Sequence, residues 1–339
     1  MTSSPSAGVV RRDRAATLSI VVPLYDEAEN VDELLRRITA VVRALPEPPA
    51  DYEIVCVDDG SRDTTRERLI AAAHADPHVR VVALSRNFGH QIAATAGLDT
   101  ARGDAVVLMD GDLQDPPELI GAFMERFRAG YDVVYATRRR RKGESRFKVV
   151  TAAVFYRVVR RLTNVSIPVD TGDFRLMSRR VVEALRQTRE RHRFLRGLVS
   201  WVGYNQIGVA YDRDARHSGE TKYPVSKMLR FAVDGITAFS EIPLRFASYL
   251  GFLTSTFAFV YAVVVLVLKL LHLNAPGYTS TIVAVLFLGG VQLIGIGILG
   301  EYIGRIYDEI KARPLYLVAE SVGSGLSDAA EPSVALVRR

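Results

Sequence analysis

The sequence predicts an α/β protein with a Rossmann-like, mostly parallel sheet, followed by interfacial helices and two transmembrane helices. Three observations predict it. Between residues 18 and 137, short apolar runs alternate with amphipathic stretches, the pattern of parallel βαβ units. Several of those runs end in acidic residues, which a doubly wound sheet gathers along the edge where ligands bind. Residues 246–268 and 280–300 contain no Asp, Glu, Lys or Arg, and each is longer than the ~18 uncharged apolar residues expected of a bilayer-spanning helix.

Residues 1–17, rich in Ser, Ala and Arg, lack the apolar core of a signal peptide and read as a disordered tail. The α/β domain is expected over 18–222. Strands are predicted over 18–23, 52–58, 79–85, 105–110 and 132–137, and helices over 28–45, 64–75, 89–100 and 117–129. Asp115-Pro116-Pro117 predicts a capping carboxylate ahead of a proline in the first turn of the last of these helices. Residues 147–162 and 223–249 mix cations with Phe, Val, Leu, Met and Tyr, as helices lying on a membrane surface do, and each reads equally as a packed surface helix of the α/β domain. The second stretch runs into the first span, so 223–245 are assigned to the interface and 246–304 to a two-helix hairpin turning at Asn274, Pro276 and Gly277. Residues 305–339 are expected as a C-terminal tail. Lys222, Lys227, Arg230 and Arg245 precede the hairpin and Arg305, Lys311 and Arg313 follow it, whereas its turn holds only Lys269. By the positive-inside rule both termini and the α/β domain are cytoplasmic, on a multi-pass protein of the plasma (inner) membrane.

The 339 residues allow one large or two ordinary domains, and 48% hydrophobic content beside 24% charge is explained by the two spans. A net charge of +6 suits anionic ligands such as nucleotide, lipid phosphate or a membrane surface. No helix-turn-helix, zinc-ligand or RNA-binding signature is present, so nucleic acid is not expected as a partner. A single cysteine, Cys56, excludes an intramolecular disulfide, and its apolar strand setting marks it as a core residue. Gly295, Gly297 and Gly300 satisfy a dinucleotide-binding expression but lie inside a span, where it has no such meaning. Gly300 and Gly304 permit close helix packing, either within the hairpin or between copies in a homo-oligomer.

Residues 106–115 read V-V-L-M-D-G-D-L-Q-D. An uncharged strand delivers Asp110 and Asp112 to the point where the chain leaves the sheet, and there they can converge on a hard divalent cation. One carboxylate plus the Gln114 amide leaves coordination sites for phosphate oxygens. The first strand ends in Pro23-Leu-Tyr25-Asp-Glu27 and the second in Val57-Asp58-Asp59-Gly60-Ser61. Three acidic strand ends on one crevice repel a nucleoside diphosphate unless some bind base and ribose while others hold a metal.

With these residues in place, the chain resembles the family-2 glycosyltransferases of GT-A fold. Within them it resembles the polyprenyl-phosphate glycosyltransferases related to dolichol-phosphate mannose synthase, particularly the bacterial two-span glucosyltransferases. The motifs are V-V-P-L-Y-D-E (21–27), V-D-D-G-S (57–61), S-R-N-F-G (85–89), M-D-G-D-L-Q-D-P-P (109–117), D-T-G-D-F-R-L (170–176) and S-G-E-T-K (218–222), and the likeness continues through the spans. It implies that Pro23, Tyr25, Glu27 and Asp59 hold the nucleoside, that Asp110 and Gly111 line the diphosphate, and that Asp112 and Gln114 ligate Mg or Mn. It further implies that Arg138, Arg175, Arg216 and Lys222 contact donor pyrophosphate or acceptor phosphate, with Asp112, Asp110 and Arg175 central to catalysis. The run 139–142 reads equally well as a solvated basic loop near anionic lipid, and Asp170 and Asp173 as residues that orient Arg175. The implied reaction is inverting transfer of a sugar from a nucleotide-sugar donor, UDP-glucose first and GDP-mannose second, to polyprenyl phosphate at the bilayer. A non-catalytic scaffold or flippase partner is the rival from another class, and the retained motif residues argue against it.

Overall fold

A computed structural model of the chain describes residues 16–138, 171–191, 193–211, 242–271 and 277–326. Its centre is an eight-stranded mixed sheet of order β7-β5-β6-β4-β1-β2-β3-β8. The strands are β1 (Leu18–Leu24), β2 (Tyr52–Asp58), β3 (Val79–Leu84), β4 (Ala105–Leu108), β5 (Val133–Arg138), β6 (Thr171–Ser178), β7 (Gln206–Tyr211) and β8 (Val318–Val322). Helices α1 (Val31–Arg43), α2 (Thr65–Ala75), α3 (His90–Thr100) and α4 (Leu119–Arg128) connect or follow the first strands, and α5 (Arg179–Gln187) and α6 (Leu195–Trp201) lie between β6 and β7. Every residue of β1 and β2 is buried, as expected of strands covered on both faces. Leu34, Ile38 and Val42 of α1 and Ile120, Phe123 and Phe127 of α4 supply the apolar stripes that pack on the sheet, and Phe123 meets Phe174 of β6 at 4.9 Å between ring centroids.

Strands β1, β2 and β3 pair in parallel outward from β1, and the chain then returns to place β4 parallel on the other side of β1. That reversal creates a switch point between β1 and β4, where the strand ends open into a crevice. Strand β6 inserts antiparallel between β4 and β5, and β7 pairs in parallel with β5.

The strands and helices predicted between residues 18 and 137 are all present, most with shifted ends. Helix α1 begins at Val31 rather than residue 28 because the preceding backbone is captured by side chains: Glu27 N–H donates to Thr65 Oγ1 (2.9 Å) and Ala28 N–H to Asp63 Oδ2 (3.2 Å). Asp115 does not cap α4, which starts at Leu119; its buried carboxylate accepts a hydrogen bond from the Tyr211 hydroxyl instead. The largest correction concerns residues 305–339, expected as a tail. Helical structure runs on to Ile310, and the chain then forms β8, antiparallel to β3 on the sheet edge. Three contacts fasten this segment: Arg66 with Glu320 (2.8 Å), the Tyr316 hydroxyl donating to Asp99 (2.9 Å) and Arg102 donating to the Leu326 carbonyl (3.0 Å). An unpaired β3 edge would expose a row of backbone donors and acceptors, and β8 satisfies them.

The sheet with its helices and β8 form one compact unit, and α7 (Ile242–Leu270) and α8 (Tyr278–Ile310) belong to a second. These two helices pack against each other, are long and apolar enough to cross a membrane, and expose nearly all their apolar side chains. They extend beyond the span limits read from the sequence at both ends. The basic run 139–142, residues 147–162 and all but the last few positions of the predicted interfacial helices lie outside the described residues.

Candidate active site

The expected residues lie at or just beyond the ends of β1, β2 and β4, which are neighbours in the sheet. Pro23 is the last residue but one of β1, Tyr25 is partly exposed beyond the strand, and Glu27 follows Asp26, whose φ of 53° lies in the left-handed region. Beyond β4 come Asp110, Gly111, Asp112, Leu113 and Gln114. Leu113 also takes a positive φ, 56°, so its buried side chain anchors a tight turn between Asp112 and Gln114. The Gln114 backbone N–H donates to Asp112 Oδ1 at 3.1 Å, which fixes the Asp112 carboxylate against the turn. A Cβ on Gly111 would stand 3.0 Å from Leu24 Cδ2, so only a small residue fits against the end of β1.

Asp59 has a more specific duty than its position implied. It is buried, its backbone N–H donates to Leu24 O (2.9 Å), and its carboxylate oxygens accept the N–H groups of Phe88 (2.7 Å) and Gly89 (2.9 Å). Asp59 thus braces the loop between β3 and α3. Burial pushes its carboxyl above the ordinary range, against the pull of those two bonds.

Facing Asp110 is a charged cluster delivered by β6, α3 and α6. Asp173 and Arg175 occupy alternate positions of β6, and each is only 5% exposed, so neither charge is relieved by water. Arg196 of α6 grips Asp173 through Nε to Oδ1 (2.7 Å) and Nη2 to Oδ2 (3.2 Å), while Gln91 Nε2 donates to Oδ2 at 3.2 Å. Arg175 Nη2 lies 3.9 Å from Asp173 Oδ1 and donates to the Gly172 carbonyl at 2.9 Å. His90 Nε2 stands 3.3 Å from Asp110 Oδ1 and 3.4 Å from Asp173 Oδ2. Ligand atoms of His90, Asp110 and Asp173 all lie within 4.8 Å of one another.

Burial raises Asp110 to about 6, opposed by His90 and assisted by neighbouring carboxylates. Burial also works to raise Asp173, but His90, Arg196 and Arg175 outweigh it and hold the carboxyl well below its ordinary range. Arg175 is lowered to about 10 by burial, with Asp173 resisting, and therefore remains cationic at neutral pH.

Pro23, Tyr25 and Glu27 lie at the end of β1 and Asp110, Gly111, Asp112 and Gln114 just beyond its neighbour β4, while Arg175 lies on β6 beside Asp173. Arg138 ends β5, and Arg216 and Lys222 lie outside the described residues. The sequence reading did not single out His90, Gln91 or Arg196. The only hint for Gln91 and His90 was their place directly after S-R-N-F-G, and Arg196 carried no signal, because it reaches the site from a helix more than 20 residues beyond its partner.

A doubly wound sheet with carboxylates at three strand ends and a buried Asp–Arg cluster beside them defines a glycosyltransferase of GT-A architecture. The chain belongs to glycosyl transferase family 2, whose family model matches residues 19–186, and the GtrB C-terminal hairpin model matches residues 242–306. It is 50% identical to a Synechocystis sp. protein named as an uncharacterized glycosyltransferase, over 90% of this chain and 96% of that one. It is 43% identical to the SfII prophage-derived bactoprenol glucosyl transferase of Shigella flexneri, over 90% and 98% of the two chains. It is likewise 43% identical to the prophage bactoprenol glucosyl transferase homolog of Escherichia coli K12, over 89% and 98%.

Proposed function

We propose that this glycosyltransferase moves a hexose, glucose from UDP-glucose in the first instance, onto a polyprenyl phosphate at the cytoplasmic face of the membrane, with inversion at the anomeric carbon. The observation that carries the reading is the union, in one chain, of a family-2 sheet with intact acidic strand ends and a hairpin of the GtrB type. Relatives spanning nearly the whole chain bear the name bactoprenol glucosyl transferase, which supports the same acceptor class.

Asp112 and Gln114 offer one carboxylate and one amide oxygen on a tight turn, a donor set that fits a hard divalent cation such as Mg or Mn. When bound, that ion supplies positive charge to the diphosphate leaving group. The chain's own residues do the rest. Pro23, Tyr25 and Glu27 line the nucleoside side, with Asp59 setting the wall through Phe88 and Gly89. An acceptor phosphate oxygen attacks the anomeric carbon as its bond to the nucleoside diphosphate breaks. A phosphate monoester has a second pKa of ~6, so it arrives already ionised and needs little help from a general base. Arg175, with Arg138, Arg216 and Lys222, provides the cationic side for phosphate.

The topology follows the same logic. Chain before the hairpin and chain after it both contribute strands to one sheet, which supports an even number of crossings and cytoplasmic placement of both ends. The cations Arg305, Lys311 and Arg313 after α8 agree with that orientation.

The test is product formation by detergent-purified chain given polyprenyl phosphate, Mg or Mn, and a panel of UDP- and GDP-sugars, read by mass spectrometry beside Asp112→Ala. Lipid-linked monosaccharide from one donor, absent in the variant, is the expected result. Bound nucleotide without product from any donor refutes the reaction, and near-normal rate and metal affinity in Asp112→Ala refute its assigned role.

A further inference from the structure

His90 is the described side chain that touches both the carboxylate at the end of β4 and the charged cluster on β6. Its backbone is held with unusual firmness. Gly89 adopts φ +96°, an angle that side chains disfavour, and the Asp59 carboxylate fixes the N–H groups of Phe88 and Gly89. On the opposite side of the same loop, Gly60 approaches so closely that a Cβ would sit 2.5 Å from the Arg86 carbonyl carbon. Helix α3 therefore starts with its first side chain aimed at a set point. Gln91 continues the arrangement: its Nε2 donates to Asp173 and its Oε1 accepts the Leu195 N–H (2.9 Å), linking α3 to α6.

Asp110 and Asp173 would otherwise face each other as like charges. Arg196 and Arg175 compensate Asp173 from behind, and Asp110 has His90 Nε2 as a close basic neighbour at 3.3 Å. We propose that His90 is a positioning residue: its imidazole, with Nε2 set 3.3 Å from Asp110 and 3.4 Å from Asp173, holds Asp110 in the orientation that receives the nucleoside diphosphate end of the donor. His90 acts through Asp110 and makes no contact with the reacting atoms. The inference rests on the proposed reading that the donor is a nucleoside diphosphate sugar.

The experiment compares the full chain with His90→Ala and His90→Gln. Glutamine places an N–H where the imidazole Nε2–H stood. Binding of UDP and of GDP is measured by calorimetry with Mn2+ present, so neither the acceptor nor the identity of the sugar enters. Melting temperature and Mn2+ affinity without nucleotide are measured alongside. Loss of the polar contact that holds Asp110 in place predicts that His90→Ala binds the preferred nucleotide roughly 10- to 100-fold more weakly. His90→Gln should recover to within about threefold of the parent chain, with Mn2+ affinity unchanged in both variants. Equal losses in Ala and Gln that follow melting temperature would reduce His90 to packing and overturn the proposal. A fall in Mn2+ affinity matching the fall in nucleotide affinity would make it a metal ligand and overturn it equally. A parent chain that binds UDP or GDP but makes no lipid-linked sugar refutes the proposed reaction while the His90 comparison still stands; binding of neither nucleotide refutes both.

Discussion

Asp173→Asn is the sharpest test of the cluster beside the crevice. The substitution keeps side-chain volume and removes a negative charge that Arg196 holds at 2.7 Å and Arg175 approaches at 3.9 Å, with Asp173 and Arg175 each 5% exposed. Arg196 is partly exposed and can turn to water, so its loss counts for little. Arg175 cannot, and breaking a buried pair from one side costs about 3–5 kcal/mol. For a domain of this size each kcal/mol lowers the melting temperature by about 2–4 °C, so a fall of roughly 6–20 °C is expected. Circular dichroism of the full chain in detergent reads it. The pH dependence has a definite sign. The fold depresses the Asp173 carboxyl, so its contribution is complete above the unfolded value of ~3.9 and is lost as pH falls through the lower folded value. The Asp173 carboxylate's own contribution to the gap between parent chain and variant should begin to close only below about 4. Adding Arg175→Met should restore part of the lost stability, because the stranded charge goes with it. A melting temperature for Asp173→Asn within about 2 °C of the parent at neutral pH would refute the reasoning that the pair is electrostatically closed.

Two further outcomes follow from the core. Cys56 is fully buried and its thiol is pushed up to about 12 by that burial, so alkylation at about pH 8 should be slow until denaturant is added; mass spectrometry showing native and unfolded chain labelled at equal rates would contradict this. Helix α3 packs so closely on the sheet that a Cβ at Gly97 would strike Val21 Cγ1 and lie 3.1 Å from Val57 Cγ2. Gly97→Ala should therefore cost about 1–3 kcal/mol through overpacking, read as a lower melting temperature, and an unchanged midpoint would show that the two elements can separate freely.

The half of the sheet containing β1 to β4 was legible because its strands are almost wholly buried and read as largely apolar runs, with acid at or just beyond the ends of β1, β2 and β4. Strand β6 was not, because T-G-D-F-R-L-M-S carries Asp173 and Arg175 inside a buried strand, and only tertiary pairing makes those charges tolerable there. Strand β8 was hidden for the opposite reason: V-A-E-S-V is short, largely exposed and separated from β3 by the apolar hairpin. Within the crevice, residues carried on one strand end were readable together, as Asp110, Asp112 and Gln114 were. Contacts made across distant segments, such as Gln91 with Asp173 at a separation of 82 residues, leave no local pattern.

The docking of β8 on β3 also sets an order of events during synthesis. Arg66 and Glu320, which join across this edge, are 254 positions apart, and both apolar helices lie between them in the chain. The catalytic sheet thus emerges from the ribosome with its β3 edge open, and stays open until both apolar helices have been translated. The chain must then return to the sheet before β8 can close it. Completion of the sheet is thereby deferred to the end of synthesis, and a chain that fails to bring β8 back keeps an unsealed edge that favours aggregation.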